Sequence, residues 1–328
     1  MPIARQLPLA RPSLITFDVF DTLIAPSQSV GRWYREVLNS HCDMSVRLPR
    51  PNLFTTAFTK VYAEQSKAHP CFGAKSGLTA KQWWFEVVKQ TYKTTESLDA
   101  LEPEEMDAIL PKVFETLYSE VFASSQGWSL MDDAIYTLDK LRAWRDQGAG
   151  PKLGVISNFD DRLHGLLKGK ASHYHLSNTS TQMRAELQLS EYFDFVLTSY
   201  ECQSEKPETK MFEMAIGKTQ ADPSTAYHIG DSLSRDVTGA AAAGWNGMRF
   251  TFWFDDELPD WSAIESEEEA DQGAAKRQEL MLWGRRDTKT GLEWVELWGL
   301  DDILTVFGLP DDDNKPIRTT YIRGYNDD

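Results

Sequence analysis

Six widely separated residues carry groups that together make one piece of chemistry: Asp18, Ser157 and Asn158, Lys206, Asp231 and Asp236. Transfer of a phosphoryl group to a carboxylate brings two anions together, so a site for it needs a divalent cation, a fixed positive charge and hydrogen-bond donors. Asp18 and Asp231 offer hard oxygens suited to Mg2+, which takes one or two carboxylates and keeps several waters. Lys206 offers a point charge that can bridge Asp18 and a phosphate oxygen. The Ser157 hydroxyl, with the backbone that follows it or the Asn158 amide, can donate to the remaining phosphate oxygens. Asp236, five residues past Asp231, can be a further ligand or orient the lysine or a metal-bound water. Taken alone, Asp18 reads equally well as the cap of a strand, and only the set argues for chemistry.

These groups share a site only if strands deliver them to one edge of a sheet. Leu14-Ile15-Thr16-Phe17 is a short apolar run ending at Asp18, the pattern of a buried strand. Leu153–Ser157, Phe195–Ser199, Ala226–Ile229 and Met248–Phe252 repeat it, with helical stretches between them. Strand and helix in alternation predict a doubly wound parallel sheet, which binds ligands at the carboxyl ends of its strands. Pro207 is read as first-turn residue of the helix after the third strand.

Between the first and second strands lie about a hundred residues of helical period. Val30, Trp33, Tyr34, Val37 and Leu38 mark one helix, and Leu53, Phe54, Ala57, Phe58, Val61 and Tyr62 a second. Thr79 and Gln82 form a capping box ahead of Trp83, Trp84, Val87 and Val88. A fourth helix, from Met106 to Val121, carries Pro111 inside it, where a kink is expected. The expected division is therefore a core of residues 1–25 and 129–328 with a helical cap of 26–128. Within the core, 255–290 reads as an acidic insertion and 311–328 as a loose tail. Residues 168–184 read as a loop, and Leu300–Phe307 as a last helix.

The 328 residues carry a net charge of −16, the wrong sign for a protein that neutralises nucleic-acid phosphates or anionic lipid. The three cysteines, Cys42, Cys71 and Cys202, have no C-x-x-C spacing, which fits neither a disulfide framework nor a thiolate zinc site. No apolar run reaches the roughly 18 residues of a membrane span. The basic opening from Met1 to Arg11 is read as neither a secretory nor a transit peptide, so the cytosol is the expected compartment.

Asp-Val-Phe-Asp-Thr-Leu, Val-Ile-Ser-Asn, Lys-Pro and Gly-Asp-Ser-Leu-Ser-Arg-Asp occur in that order. They resemble the four motifs of the haloacid dehalogenase superfamily, and the resemblance covers roughly Leu14 to Thr251. The separations from Asp18 to Ser157 (139), on to Lys206 (49) and on to Asp231 (25) are similar to members with a helical cap between the first two motifs. The resemblance implies a hydrolase with Asp18 as nucleophile and Mg2+ held by Asp18, the Phe20 carbonyl, Asp231 and Asp236. It also implies a phosphate pocket that includes Thr22 with Ser157, Asn158 and Lys206. A small phosphorylated metabolite is the implied substrate. The oligomeric state is left open.

One position departs from the pattern. Superfamily phosphatases carry a second aspartate two residues after the nucleophile, as acid and then base; here that residue is Phe20. General acid catalysis commonly contributes about 10²–10⁴-fold. Its loss favours leaving groups that depart unaided, such as aryl or acyl phosphates. Dehalogenases also have an aromatic residue there, but lack the metal-binding carboxylates of the fourth motif. Metal-independent dehalogenation of a 2-haloacid is thus one alternative, and a catalytically weak binding or scaffold protein another. Asp21 as substitute acid is disfavoured, because in an extended run it points away from Asp18.

Other residues are given lesser weight. His69, His164, His173, His175 and His228 lack partners at ligand spacing. Trp83 and Trp84 are read as core packing ahead of pocket lining. Arg32 and Arg35 are candidates for recognising a substrate anion. Nine acidic residues and no basic one between 255 and 271 read as a solvated surface.

Overall fold

The computed structural model describes residues 2–3, 8–42, 48–97, 102–148, 150–169, 188–251 and 284–310. The segment 170–187, most of the acidic stretch and the tail from 311 lie outside them, as do His173 and His175.

The strand Leu14–Phe17 (β2, after β1 at Pro2–Ile3) is wholly buried because it lies at the middle of the sheet. It pairs in parallel with Lys152–Ser157 (β5) on one side and Ala226–Gly230 (β7) on the other. Removing Leu14, Ile15 and Phe17 from water contributes about 1.5–3 kcal/mol each. Phe195–Thr198 (β6) continues the sheet beyond β5, and Asn246–Phe250 (β8) beyond β7. The chain therefore winds first one way from β2 and then the other. The strand order reverses between β2 and β7, the switch point where doubly wound sheets open a crevice.

The sheet is wider than its sequence pattern implied. Glu293–Leu297 (β10) adds a sixth parallel strand beside β8, and Gly284–Arg286 (β9) pairs antiparallel with it. β9 thus falls inside the stretch read as an acidic insertion. The buried carboxylate Glu296 ties this edge together through Arg285, at 2.5 Å, and the Thr251 hydroxyl, at 3.0 Å.

Three boundaries shift for local reasons. The third strand stops at Thr198 because that side chain accepts the Glu201 N–H and starts a short helix, Ser199–Cys202. The helix that follows β5 starts only at Arg162, where the Asp160 carboxylate accepts the Arg162 N–H at 3.0 Å. Pro207 lies in the turn ahead of the helix Lys210–Thr219, not in its first turn.

Among the described residues the cap has four α-helices, α1 (Val30–His41), α2 (Pro51–Ala68), α3 (Ala80–Thr94) and α4 (Pro103–Glu115). Thr79 and Gln82 form the reciprocal capping box at the start of α3. The α4 helix runs through Pro111 and widens into a π-helical turn over Thr116–Val121. Trp33, Tyr34, Phe54, Tyr92 and Phe114 are buried in a cluster of their own, while Leu53 of the expected inner face is exposed. The chain enters and leaves the cap through a two-stranded ribbon, Ile24–Pro26 (β3) against Trp128–Leu130 (β4), with Pro26 opposite Trp128.

Candidate active site

At the carboxyl ends of β2 and β7 the sheet places Asp18, Asp231 and Asp236 so that one oxygen from each lies within 4.8 Å of the others. Asp18 follows β2 directly and its N–H donates to Ile229 O at 2.8 Å, which fixes it against β7. Its Oδ1 accepts the Val19 N–H at 2.8 Å and lies 3.1 Å from Lys206 Nζ.

Lys206 is itself buried, an arrangement that is stable only if its charge is met. Besides Asp18, the ammonium contacts Asp236 Oδ1 at 2.6 Å and donates to Ile156 O at 2.8 Å. Its backbone is clamped by Asn158, whose Oδ1 accepts the Lys206 N–H at 2.8 Å and whose Nδ2 donates to Lys206 O at 3.0 Å. The Asn158 side chain thus positions the lysine, and its amide keeps a second N–H beyond the one given to Lys206 O.

Asp236 is likewise engaged on both oxygens. Oδ1 meets Lys206 and lies 3.1 Å from His228 Nε2, while Oδ2 accepts the Ser232 N–H at 2.9 Å. Burial favours its neutral form, but the Lys206 charge and the His228 hydrogen bond outweigh that and hold the carboxyl well below its usual range. His228, wholly buried, also meets Thr16 Oγ1 at 2.9 Å from Nδ1. Burial, then the Lys206 charge, push this imidazole down, so it is neutral at pH 7. Gly230 makes room for the arrangement, because a Cβ there would lie 2.2 Å from Asp236 Cγ.

Asp231 differs from its neighbours. Its Oδ1 is buried with no hydrogen-bond partner. Burial, and then the Asp18 and Asp236 carboxylates, push it up to about 7. Three clustered carboxylates against the Lys206 ammonium and the Arg235 guanidinium leave the site with an excess of negative charge and an unsatisfied hard oxygen, which fits a divalent cation. Thr22 Oγ1 is also buried without a partner.

Asp18 of this cluster lies on the floor of a cavity of about 270 Å3 between core and cap. Asp18, Phe20, Ser157 and Asn158 line it from below, and more than half of the lining residues are aromatic. Phe20 packs edge-on against Trp128 with centroids 5.5 Å apart. Trp84 lines the cavity, whereas Trp83 is buried beside it and donates from Nε1 to His69 O at 2.9 Å. Of the two tryptophans read as core, one is therefore pocket wall. Arg32 and Arg35 are absent from the lining: Arg32 is exposed on α1, and Arg35 donates to Pro49 O. The α1 face that meets the cavity carries Val30 and Tyr34 instead. Asp21 does not line the cavity either. The strand ends at Phe17, and Asp21 takes a left-handed turn conformation with φ of 54°.

Three charged residues that line the cavity were not anticipated. Arg235 is the arginine within Gly-Asp-Ser-Leu-Ser-Arg-Asp, and its charge is held by Asp18, Asp231 and Asp236 against the effect of burial. Asp160 and Arg162 pair bidentately, at 2.9 Å from Nε and 2.6 Å from Nη2. Both stand within five residues of Ser157, so the second motif was a usable signal for them.

The sequence model of the haloacid dehalogenase-like hydrolases matches residues 12–244, a span that contains every residue of this floor. The chain belongs to the haloacid dehalogenase-like hydrolases. It is 35% identical over 235 residues to the bovine (Bos taurus) haloacid dehalogenase-like hydrolase domain-containing protein 3, covering 72% of this chain and 80% of that one. To the rhythmically expressed gene 2 protein of Drosophila melanogaster it is 29% identical over 246 residues, covering 73% and 82%. Among solved structures, L-2-haloacid dehalogenase from Xanthobacter autotrophicus with chloropropionic acid covalently bound aligns with a TM-score of 0.51. That alignment has 17% identity and covers 91% of this hydrolase and all of that chain, a likeness of fold. Among the described residues, no helix of the hydrolase is long and apolar enough to cross a membrane.

Proposed function

We propose that this hydrolase cleaves a small phosphate monoester through a phosphorylated Asp18, with Mg2+ as its cofactor. The observation that carries the reading is the unpartnered Asp231 Oδ1 on a carboxylate that comes within 4.8 Å of that of Asp18, with Lys206 Nζ 3.1 Å from Asp18 Oδ1. Asp18 and Asp231, with the Phe20 carbonyl, would hold the cation, while Asp236 fixes Lys206. When bound, the cation would neutralise the carboxylates and the incoming phosphate.

The Asp18 carboxylate attacks phosphorus in line as the bond from phosphorus to the leaving oxygen breaks, and the leaving group departs with the electron pair. Lys206 and the Ser157 hydroxyl hold the phosphoryl oxygens, as does the Thr22 hydroxyl. Water then attacks the aspartyl phosphate at phosphorus, releasing phosphate and restoring Asp18. The cavity fits a small molecule, the net charge of −16 disfavours nucleic acid, and the free Cys42, Cys71 and Cys202 suit a reducing cytosol.

The test is turnover of acetyl phosphate by wild type and Asp18→Asn, with Mg2+ and with EDTA, alongside mass-spectrometric detection of phosphate on Asp18. Wild type should turn over with Mg2+ only, and the variant should be inert. Equal rates refute the reading. A second reading, hydrolysis of a 2-haloacid by the same aspartate, is favoured by Phe20 and the apolar cavity. Halide release from 2-chloropropionate in EDTA would establish it instead.

A further inference from the structure

We propose that the cavity receives a planar aromatic leaving group, so that the substrate is an aryl phosphate monoester and not an alkyl or sugar phosphate. This rests on the phosphatase reading above and narrows it.

Three independent features of the cavity lead there. The first is its wall. Trp84 stands nearly parallel to Phe58, at 9° and 6.4 Å, and stacks on Phe72 at 25° and 5.8 Å. Such a wall offers dispersion and quadrupole contacts to a flat ring and few hydrogen bonds to the hydroxyls of a polyol. A sugar entering here would lose water at each hydroxyl and find few new partners, a loss of roughly tenfold or more in binding for each.

The second feature is how firmly the wall is held. Trp84 Nε1 donates to Asp160 Oδ2 at 2.6 Å. The Arg162 guanidinium, paired with the same carboxylate, lies 5.1 Å from the Trp84 ring centroid and 4.1 Å from that of Tyr118, and donates to Tyr118 O at 3.1 Å. Asp160 is wholly buried. An ion pair taken out of water contributes little net stability but fixes geometry. Here it fixes the indole plane, which is the preorganisation a ring-binding surface needs.

The third feature is the chemistry at Phe20. The phenyl side chain at position 20, two residues after Asp18, can give no proton to the leaving oxygen, so the electron pair leaves on that oxygen unprotonated. A phenolic oxygen accepts this readily, its conjugate acid having a pKa of about 10, whereas an alkoxide resembles hydroxide, whose conjugate acid lies near 16. The phenolate then takes its proton from water. Phe20 itself lines the cavity.

The experiment uses the full chain loaded with Mg2+. Calorimetry compares phenylphosphonate with methylphosphonate, which share a headgroup and differ in the ring. The phenyl compound should bind at least about tenfold tighter, the effect of two or more aromatic contacts. Values of kcat/KM are then measured for phenyl and 1-naphthyl phosphate, for glycerol phosphate and glucose 6-phosphate, and for acetyl phosphate as a ring-free reference. The aryl esters should exceed the alkyl and sugar esters by at least about tenfold, in line with unassisted departure. In Trp84→Leu, both the ratio of aryl to acetyl turnover and the affinity for phenylphosphonate should fall.

If acetyl phosphate is hydrolysed through Asp18 while the two phosphonates bind equally, the ring site is refuted and the phosphatase reading stands. If no phosphate ester is turned over while phenylphosphonate binds preferentially, the ring site stands and the phosphatase reading fails. Equal or faster turnover of the sugar phosphates overturns the aryl assignment outright.

Discussion

Replacing Asp231 with Asn should stabilise this hydrolase in the absence of divalent metal, an unusual outcome for a buried polar residue. In the fold, burial and the Asp18 and Asp236 carboxylates push Asp231 to about 7 from the ordinary 3.8. Between those values the folded chain holds a proton that the unfolded chain has released, so stability falls as pH rises from about 4 to about 7. Above pH 7 the full cost is present. A shift of about three units corresponds to about 4 kcal/mol at 1.36 kcal/mol per unit, an upper bound because water and side chains relax around the charge. The neutral amide removes that cost, so in EDTA at pH 8 Asp231→Asn should exceed wild type by about 1–3 kcal/mol. At roughly 2–4 °C per kcal/mol this is readable in a thermal melt. At pH 4 the two proteins should melt together. Added Mg2+ should reverse the order at pH 8, since a ligand at a hundred times its dissociation constant contributes about 2.7 kcal/mol to the protein that binds it. The assay is a set of melts at pH 4, 6 and 8 with EDTA or Mg2+. A variant no more stable than wild type at pH 8 in EDTA, or an equal advantage at pH 4, refutes the reasoning.

Three further outcomes follow from the same geometry. Gly230→Ala puts a methyl group 2.2 Å from Asp236 Cγ, so Asp236 and with it Lys206 must shift. A displacement of that order costs about 10²-fold in kcat, and a kcat within twofold of wild type would show that the contact is absorbed elsewhere. Phe20→Asp restores an acid beside the nucleophile and should raise kcat on glycerol phosphate by at least about tenfold; no gain would favour a pocket built for binding and not turnover. Asp160→Asn leaves Arg162 buried beside a neutral partner and should cost about 3–5 kcal/mol in denaturant unfolding at pH 7. Burial raises the Asp160 carboxyl but Arg162 more than reverses this and depresses it. Its stabilising contribution is therefore present above the ordinary carboxylate value and is lost as pH falls below it. The gap between wild type and Asp160→Asn should narrow below about pH 4, and a constant gap down to pH 2 would place the effect elsewhere.

The residues of the site floor could be read from the chain alone because each is fixed by local structure. Asp18 closes a strand of four apolar or β-branched residues, Ser157 closes another, and Asp231 follows a third. A parallel sheet sends all such ends to one edge whatever the helices do. Thr79 and Gln82 announced α3 for the same reason, since a capping box needs only its own backbone. The β9–β10 edge was missed although Trp294, Val295 and Leu297 form an apolar run. That strand is reached only after a long acidic stretch and pairs with β8, some fifty residues earlier.

The order of Asp18, Ser157, Lys206 and Asp231 was enough to determine the fold and the hydrolase family, because both follow from short-range patterns repeated along the chain. Which side of each cap helix faces the sheet was decided only in three dimensions. Tyr34 meets the cavity and Arg32 meets solvent though they lie two residues apart on α1, and Trp84 lines the pocket beside a Trp83 that does not. Likewise, Asn158 holds the lysine backbone, Asp160 pins an indole from α3, and His228 supports Asp236. Each of these depends on contacts between residues far apart in sequence, and a helical period specifies that a face is apolar without specifying what it will pack against.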